Sequence, residues 1–550
     1  MKTALVSFGI LLLSSMGFSQ QMTEILGRPT NNSITVSVLF DSSVDVYFEY
    51  GTAQGSYSLS TIISTCSAGE PTEINLTGLQ SGTRYYYRTR YRKTGTSTYL
   101  ASDEHTFVTQ RKKGSTFRFI IEADPHPYDK KGCWNLWNIA LANQLKDTAD
   151  FMLDLGDTFG DDHNPFTITN QEEKQLHFNC RSFFGKACHS LPLYLCIGNH
   201  EGESGYYLLQ TPPNNLATYA TLWRKYYYPN PFPDGFYSGN IAEEASGIGK
   251  PENYYAWEWG DALFIVLDAY RYYTANAKPR NWDWTIGKTQ YDWFKQTLEN
   301  STAKHKFVFA HHVLGETRGG VGVASLCEWG DVANFEANRP GWGGVPLHQL
   351  MVNSKVDIFF QGHDHIYARE EKDGLIYQTV PMPSDSTYII GMRDNGDAFT
   401  GVKLAGAGHL RVTVSSDNVT VDYISAVLPA DETATSKNGE IVYSYNSIGI
   451  TSVNNSTDFY SENKPNWTLF PNPAADYVNI SLNQPTDKDL LVQIINIDGK
   501  VVRQVAISGR TINLKLNDNA GHRLSTGVYL VKLFAGGNYV SCKKMVVKSF

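Results

Sequence analysis

The stretch Phe117-Arg118-Phe119-Ile120-Ile121-Glu122-Ala123-Asp124-Pro125-His126 decides the fold of this chain. A buried-type strand, Phe117 to Ala123, runs straight into Asp-x-His, so an apolar element delivers two chemically able side chains to its carboxyl end. The same arrangement recurs further along. Phe151 to Leu155 leads to Gly156-Asp157-Thr158, Leu193 to Ile197 to Gly198-Asn199-His200-Glu201, Phe307 to Ala310 to His311, and Ile358 to Phe360 to Gly362-His363-Asp364-His365. Leu263 to Leu267 reads as a further strand and Trp134 to Leu145 as an amphipathic helix. Strands alternating with helices predict an α/β layered domain, and such sheets place ligand sites in loops beyond the carboxyl ends of their strands.

Taken singly these motifs say little, since Gly-Asp and Gly-Asn pairs are mostly turns. Five of them in this order, each at a strand end and spread over about 240 residues, have no such explanation. Carboxylates, imidazoles and one amide oxygen suit Zn, Fe or Mn rather than Ca or Mg. The candidate metal ligands are Asp124, His126, Asp157, Asn199, His311, His363 and His365, with His312 an ambiguous neighbour of His311. Glycines before Asp157, Asn199 and His363 suit tight strand-to-loop turns. Beside Asn199, His200 is the candidate to donate a proton or hold an anion, because imidazole titrates near working pH. Glu201 and Asp364 are the expected carboxylate partners of that histidine. Arg271 and Arg318 have the chemistry of a phosphate clamp, but arginines are mostly solvated surface residues and neither is singled out.

The rest of the 550 residues frames this domain, and the length predicts three or four units. Lys2, the apolar run from Ala4 to Phe18 and then Ser19-Gln20-Gln21 form a secretory signal over residues 1–20, too short to span a bilayer. No later segment reaches that length without charges, so a soluble protein outside the cytoplasm is expected. A net charge of −8 offers no basic footprint for nucleic acid or an anionic membrane, so an anionic substrate must be attracted locally. The seven cysteines are odd in number and sparse; Cys180 and Cys188 are the pair placed closely enough to suggest a disulfide.

Residues 21–112 alternate in short runs such as Ser33 to Val38 and Val44 to Tyr50, the pattern of a β-sandwich. After Arg111-Lys112-Lys113-Gly114 the α/β domain occupies residues 113–445. It is interrupted from Glu203 to Glu258 by a long aromatic and proline-rich insertion, expected to wall the pocket. Residues 446–466 read as a polar linker, and 467–550 as a small terminal β-sandwich with Gly turns.

The motif series Asp-x-His, Gly-Asp, Gly-Asn-His-Glu, a histidine on the fourth strand and Gly-His-x-His resembles the calcineurin-like metallophosphoesterases over about Ser115 to Leu428. That resemblance implies a four-layer αββα sandwich, here flanked by N-terminal and C-terminal all-β sandwiches. It implies that Asp124, His126 and His365 bind one transition-metal ion, Asn199, His311 and His363 a second, and that Asp157 bridges them. His311 is preferred over His312 because the family places its ligand three residues after a valine, here Val308; His312 is then expected to face substrate or solvent. Leu76-Thr77-Gly78-Leu79 and Ser81 to Tyr87 resemble a fibronectin type III-like domain, and the pairing of the two domains looks like the purple acid phosphatases. His126 and Gly160 depart from the purple enzymes, which carry Gly and Tyr there, so a tyrosinate-to-iron colour is not expected. The C-terminal phrases Leu469-Phe470-Pro471-Asn472-Pro473, Ile494 to Val502, Leu524 to Lys532 and Lys543 to Val547 resemble the type IX secretion sorting domain. They imply export through the periplasm of a Gram-negative bacterium, to be secreted or held at the surface.

The expected activity is hydrolysis of phosphate monoesters by a hydroxide bridging two ions, with diesters or phospholipid head groups as the nearest variant. A surface adhesin with a vestigial site is the alternative from another class.

Overall fold

The computed structural model describes residues 22–127, 132–159, 164–315, 317–390, 398–447, 467–482, 490–496, 500–507, 511–535 and 538–548. The expected signal segment, Gly160 and all but the first two residues of the expected linker lie outside them. The chain divides into two compact units, Met1–Thr451 and Ser452–Phe550.

At the centre of the first unit two sheets lie face to face. One has six strands in the order Leu193–Leu195, Phe151–Asp154, Phe117–Glu122, Ala407–Val414, Val419–Ala426 and Ile441–Ser447, of which the first three run parallel. The other has eight, built round the parallel run Ala262–Val266, His305–Phe309, Ile358–Gln361 and Leu375–Thr379. Both strand sets are apolar on both faces because each sheet is covered twice, by the other sheet and by helices. Between the sheets, Phe119 packs against Phe264, Phe307, Phe309 and Phe360, an aromatic core of tilted and edge-on contacts. Helices Trp134–Lys146 and Asn170–Phe184 cover the first sheet, and Lys288–Asn300 and Leu347–Asn353 the second. The result is the four-layer αββα sandwich.

The Glu203 to Glu258 insertion is not one long loop, since its first half is helical. It folds into the helices Gly205–Leu208 and Leu216–Tyr227, the longer started by Asn215, whose side chain accepts from Thr218 N, and packed on Asn170–Phe184. Asn446 and Ser447, expected to open the linker, instead end the edge strand Ile441–Ser447, antiparallel to Val419–Ala426.

An N-terminal β-sandwich pairs a three-stranded sheet (Met22–Gly27, Ser33–Phe40, Thr72–Thr77) with one built on Val44–Gly51 and Arg84–Lys93. Arg181, buried on the helix Asn170–Phe184, fixes it to the α/β core. The guanidinium donates to Thr23 Oγ1 (3.0 Å), Ser37 Oγ (3.1 Å), Ser37 O (2.7 Å) and Tyr227 O. Glu24 is buried at the same junction against Tyr87, Thr89 and His105, and burial pushes its carboxyl up to about 7. The cysteine pairing is corrected here, since Cys180 and Cys188 are separate buried thiols. One points to Thr158 O (3.4 Å) and the other to Met152 Sδ (3.6 Å).

The second unit is a two-sheet sandwich of its own, with strands Trp467–Phe470, Tyr477–Leu482 and Thr511–Lys515 opposite Val501–Ile507, Leu490–Ile495, Gly527–Ala535 and Asn538–Val547.

Candidate metal centre

Each of the five motifs begins where a strand ends, and parallel register brings their loops to one edge of the two sheets. Asp124 N donates to Gly156 O (2.9 Å), His126 N to Asp157 O (3.3 Å) and Gly362 N to His311 O (2.7 Å), so neighbouring loops are tied by backbone bonds. Gly156 takes φ = +97°, and a Cβ on Gly362 would lie 2.5 Å from Asp124 Oδ2. The first glycine serves the turn, whereas the second leaves room for the approaching carboxylate.

Asp124, His126 and His365 offer donor atoms that lie within 4.8 Å of one another, and so do Asp157, His311 and His363. A third such group, His126, Asp157 and His200, overlaps the first two. Asp157 belongs to two groups by one oxygen. Its Oδ1 accepts from His200 N (2.7 Å), while Oδ2 lies 3.1 Å from His311 Nε2, 3.3 Å from His126 Nε2 and 4.0 Å from His200 Nε2. Asp124 is divided in the same way, since Oδ2 accepts from His363 N (2.8 Å) and Oδ1 faces His365 Nε2 at 3.4 Å and His311 Nε2 at 3.6 Å.

All seven candidate ligands are at most 8% exposed. Yet Asp124 Oδ1, His126 Nε2, Asn199 Oδ1, His311 Nε2 and both ring nitrogens of His363 and His365 have no hydrogen-bond partner. Buried polar atoms are paired in folded proteins, so this many unpaired donors and acceptors converging on one spot fit cations as the missing partners. His311 shows the arrangement at one residue. Its Nδ1–H donates to Leu155 O (2.8 Å), which turns Nε2 towards Asp157 Oδ2 at 3.1 Å.

Charge states agree. Burial alone would raise Asp157 and Asp124, but the histidines around them, His311 foremost, hold both below the usual carboxylate range, Asp157 well below. Burial lowers His126 and His363, so both remain neutral ligands. Against His311 burial acts the same way, but Asp157 and Asp124 overcome it and raise the ring to about 9; a cation must displace that proton.

Five of the seven side chains hang from left-handed backbone: Asp124, His126, Asp157, His363 and His365 have φ of 57°, 37°, 61°, 72° and 54°. Non-glycine residues rarely adopt this region, and the strain is gathered at one point.

The partners expected for His200 are corrected. Glu201 does not reach it; its carboxylate accepts backbone N–H from Gly198 and Asp157 (2.7 Å) on Oε2 and from Thr158 (2.6 Å) on Oε1, clamping two ligand loops together. Burial and the Asp157 charge push that carboxyl up to about 7. Asp364 accepts from Gly319 N (2.8 Å) and faces His312 (3.6 Å) and Arg318 (3.4 Å). His312 does not face solvent. It is fully buried, with Nε2–H on Gly319 O (2.9 Å) and Nδ1 accepting from Leu314 N (3.1 Å). Arg271 is no clamp either, being buried between Glu203 and Glu244. Arg318 alone of the two arginines borders the site, donating to His363 O. Glu201 ends the Gly-Asn-His-Glu motif, but the motif did not reveal that its partners are the backbone amides of the Asp157 loop rather than His200.

This fold and donor set define the class. Residues 117–367 match the calcineurin-like phosphoesterase family, and residues 468–548 match the secretion system C-terminal sorting domain. The chain thus carries a calcineurin-like phosphoesterase domain, a metal-dependent phosphoric ester hydrolase, followed by a sorting domain that directs type IX export to the cell surface or the medium. Among solved structures it is similar to PhoD (TM-score 0.56, 14% identity, covering 77% of this chain and 89% of that one). It is also similar to the purple acid phosphatase PPD1 from yellow lupin, Lupinus luteus, seeds (TM-score 0.53, 15% identity, 80% and 78%). At these identities the likeness is one of fold. No curated protein matches the chain. Among the described residues no helix is long and apolar enough to cross a membrane.

Proposed function

We propose that the exported enzyme hydrolyses phosphate monoesters at a centre of two transition-metal ions, Zn, Fe or Mn. Asp124, His126 and His365 would hold one ion, Asn199, His311 and His363 the other, and Asp157 would serve both. The observation that carries this reading is the convergence of unpaired buried donor atoms on Asp124 and Asp157. Two such cations would lower the pKa of a bound water and neutralise charge on phosphoryl oxygens. The chain's own part is to hold the donors rigid. Glu201 fixes the Asp157 loop against the Asn199 loop, and the His363 amide orients Asp124.

His200 lies at the rim, its side chain 21% exposed and its ring edge-on to His126 at 4.9 Å. From there it can give a proton to the departing oxygen. Arg318, half-buried beside His363, adds positive charge that suits a dianionic monoester better than a monoanionic diester.

Replacing Asp157 or His363 by Ala should abolish turnover of p-nitrophenyl phosphate and lower bound metal while leaving the thermal melt largely intact. Unchanged turnover would remove the assignment. His200→Ala should slow an alkyl phosphate far more than the p-nitrophenyl ester, whose leaving group needs no proton; equal loss on both would take the acid role from His200.

A further inference from the structure

His312 takes no part in the chemistry above, yet it is fully buried beside the candidate ligand His311. Both of its ring nitrogens are engaged by backbone, Nδ1 with Leu314 N and Nε2 with Gly319 O, so no lone pair is left for a metal ion. What the ring holds is Gly319. Asp364, fully buried between His363 and His365, grips the same residue from its other side, its Oδ2 accepting from Gly319 N at 2.8 Å. Glu370 fixes the next turn, with Oε2 accepting from Val321 N (2.8 Å) and Oε1 from Thr400 N and Thr400 Oγ1 (2.9 Å each), and it leaves no room for a Cβ on Gly320. Burying an imidazole and two carboxylates is costly unless they are hydrogen-bonded, and these three direct their bonds at one short segment.

That segment carries Arg318. Its Nη1 donates to His363 O and faces Asp364 Oδ1 at 3.4 Å, which places the guanidinium against the backbone of a candidate ligand. Arginine has five N–H donors in a rigid fork, and among the described residues the bonds of Arg318 all run through Nη1. With the side chain 27% exposed, the remaining donors open at the rim of the metal centre. An arginine on a slack loop loses conformational freedom when it grips an anion, and a segment fixed in advance avoids that loss. A phosphate monoester presents one more terminal oxygen than a diester, and a guanidinium fork matches such oxygens.

We propose that His312 is a positioning residue, which together with Asp364 seats the Arg318 segment against the His311 and His363 loops, so that the open side of the guanidinium takes the terminal oxygen a diester lacks. The proposal rests on the phosphoesterase reading, and its test separates the two. For the metal-loaded full chain, kcat and KM are measured on p-nitrophenyl phosphate and bis(p-nitrophenyl) phosphate, bound metal by elemental analysis, and the affinity for inorganic phosphate by calorimetry. Arg318→Met and His312→Phe should each lower the monoester-to-diester ratio of kcat/KM, and the phosphate affinity, by about 10–100-fold, the range for one charge-assisted hydrogen bond, with bound metal unchanged. His312→Gln, which can again offer an N–H to Gly319 O, should restore most of the loss. His312→Asn, which keeps an acceptor near Leu314 N but is too short to reach Gly319 O, should behave as His312→Phe does and replaces it if that variant does not fold. Equal loss on both esters, metal lost from the His312 variants, phosphate affinity unmoved in His312→Phe, or His312→Gln no better than His312→Phe overturns the positioning role even in an active enzyme. If the unaltered protein turns over neither ester while phosphate binds and the variants weaken it as expected, the seat stands and the phosphoesterase reading falls.

Discussion

Changing Glu201 to Gln tests how the centre is built, because this side chain touches no substrate. One carboxylate oxygen receives the amides of Gly198 and Asp157, and the other those of Thr158 and, at 3.4 Å, Phe159. A glutamine keeps one acceptor and turns an NH2 towards the other pair, so two buried amides lose their partner and meet a donor. At about 1–3 kcal/mol for each orphaned group the local cost is on the order of 2–6 kcal/mol. Part of it is relieved by letting the Asp157 and Asn199 loops separate, which spreads the donors of the second ion. Metal affinity should fall by about 10–100-fold, the range for removing a group that orients ligands. Metal titration followed by turnover, at limiting and at excess metal, reads this directly, with activity lost at limiting metal and largely recovered in excess. Unaltered affinity together with an unaltered melt would refute the clamp.

Three further outcomes follow from other parts of the molecule. Glu24 has a folded pKa of about 7 against an ordinary 4.5, so the buried, charged form costs stability as pH rises from 4.5 to 7. Glu24→Gln should therefore stabilise the protein at pH 8 by on the order of 3 kcal/mol and do nothing at pH 4, checked by denaturant unfolding at both. Arg181→Met should cost roughly 3–5 kcal/mol of unfolding free energy, because it orphans Ser37 O and Tyr227 O at the junction, while p-nitrophenyl phosphate turnover at low temperature persists. Iron-loaded protein should show no tyrosinate-to-iron band in its visible spectrum, since glycine stands at position 160 where the purple enzymes carry the tyrosine, and His126 is the compensating ligand; a purple sample would contradict the ligand set.

The strands of the α/β domain were legible because each is an apolar run bounded by glycine or a polar motif. Their observed ends differ from the expected ones by one or two residues, as with Phe117–Glu122 and His305–Phe309. The candidate ligands were legible because metal chemistry needs particular side chains at strand ends. What stayed hidden depends on pairing across long stretches of chain. Glu201 looks like any acid in a loop until four amides are seen around it, and Arg181 meets Ser37 across 144 positions. The helix Leu216–Tyr227 was masked by its aromatic content, and Ile441–Ser447 becomes a strand only because Val419–Ala426 offers it an open edge.

The left-handed backbone at Asp124, His126, Asp157, His363 and His365 bears on how this protein can change over time. Each such residue costs roughly 1–2 kcal/mol that glycine would not, so the five together weigh against the fold by about as much as a small domain's whole net stability. Selection for stability alone would exchange them one by one, every step gaining stability and giving up chemistry. A protein kept only for the adhesive use of its outer domains would drift towards that quieter sequence. All five strained side chains are candidate metal ligands, so each exchange for glycine would gain stability at the loss of a donor.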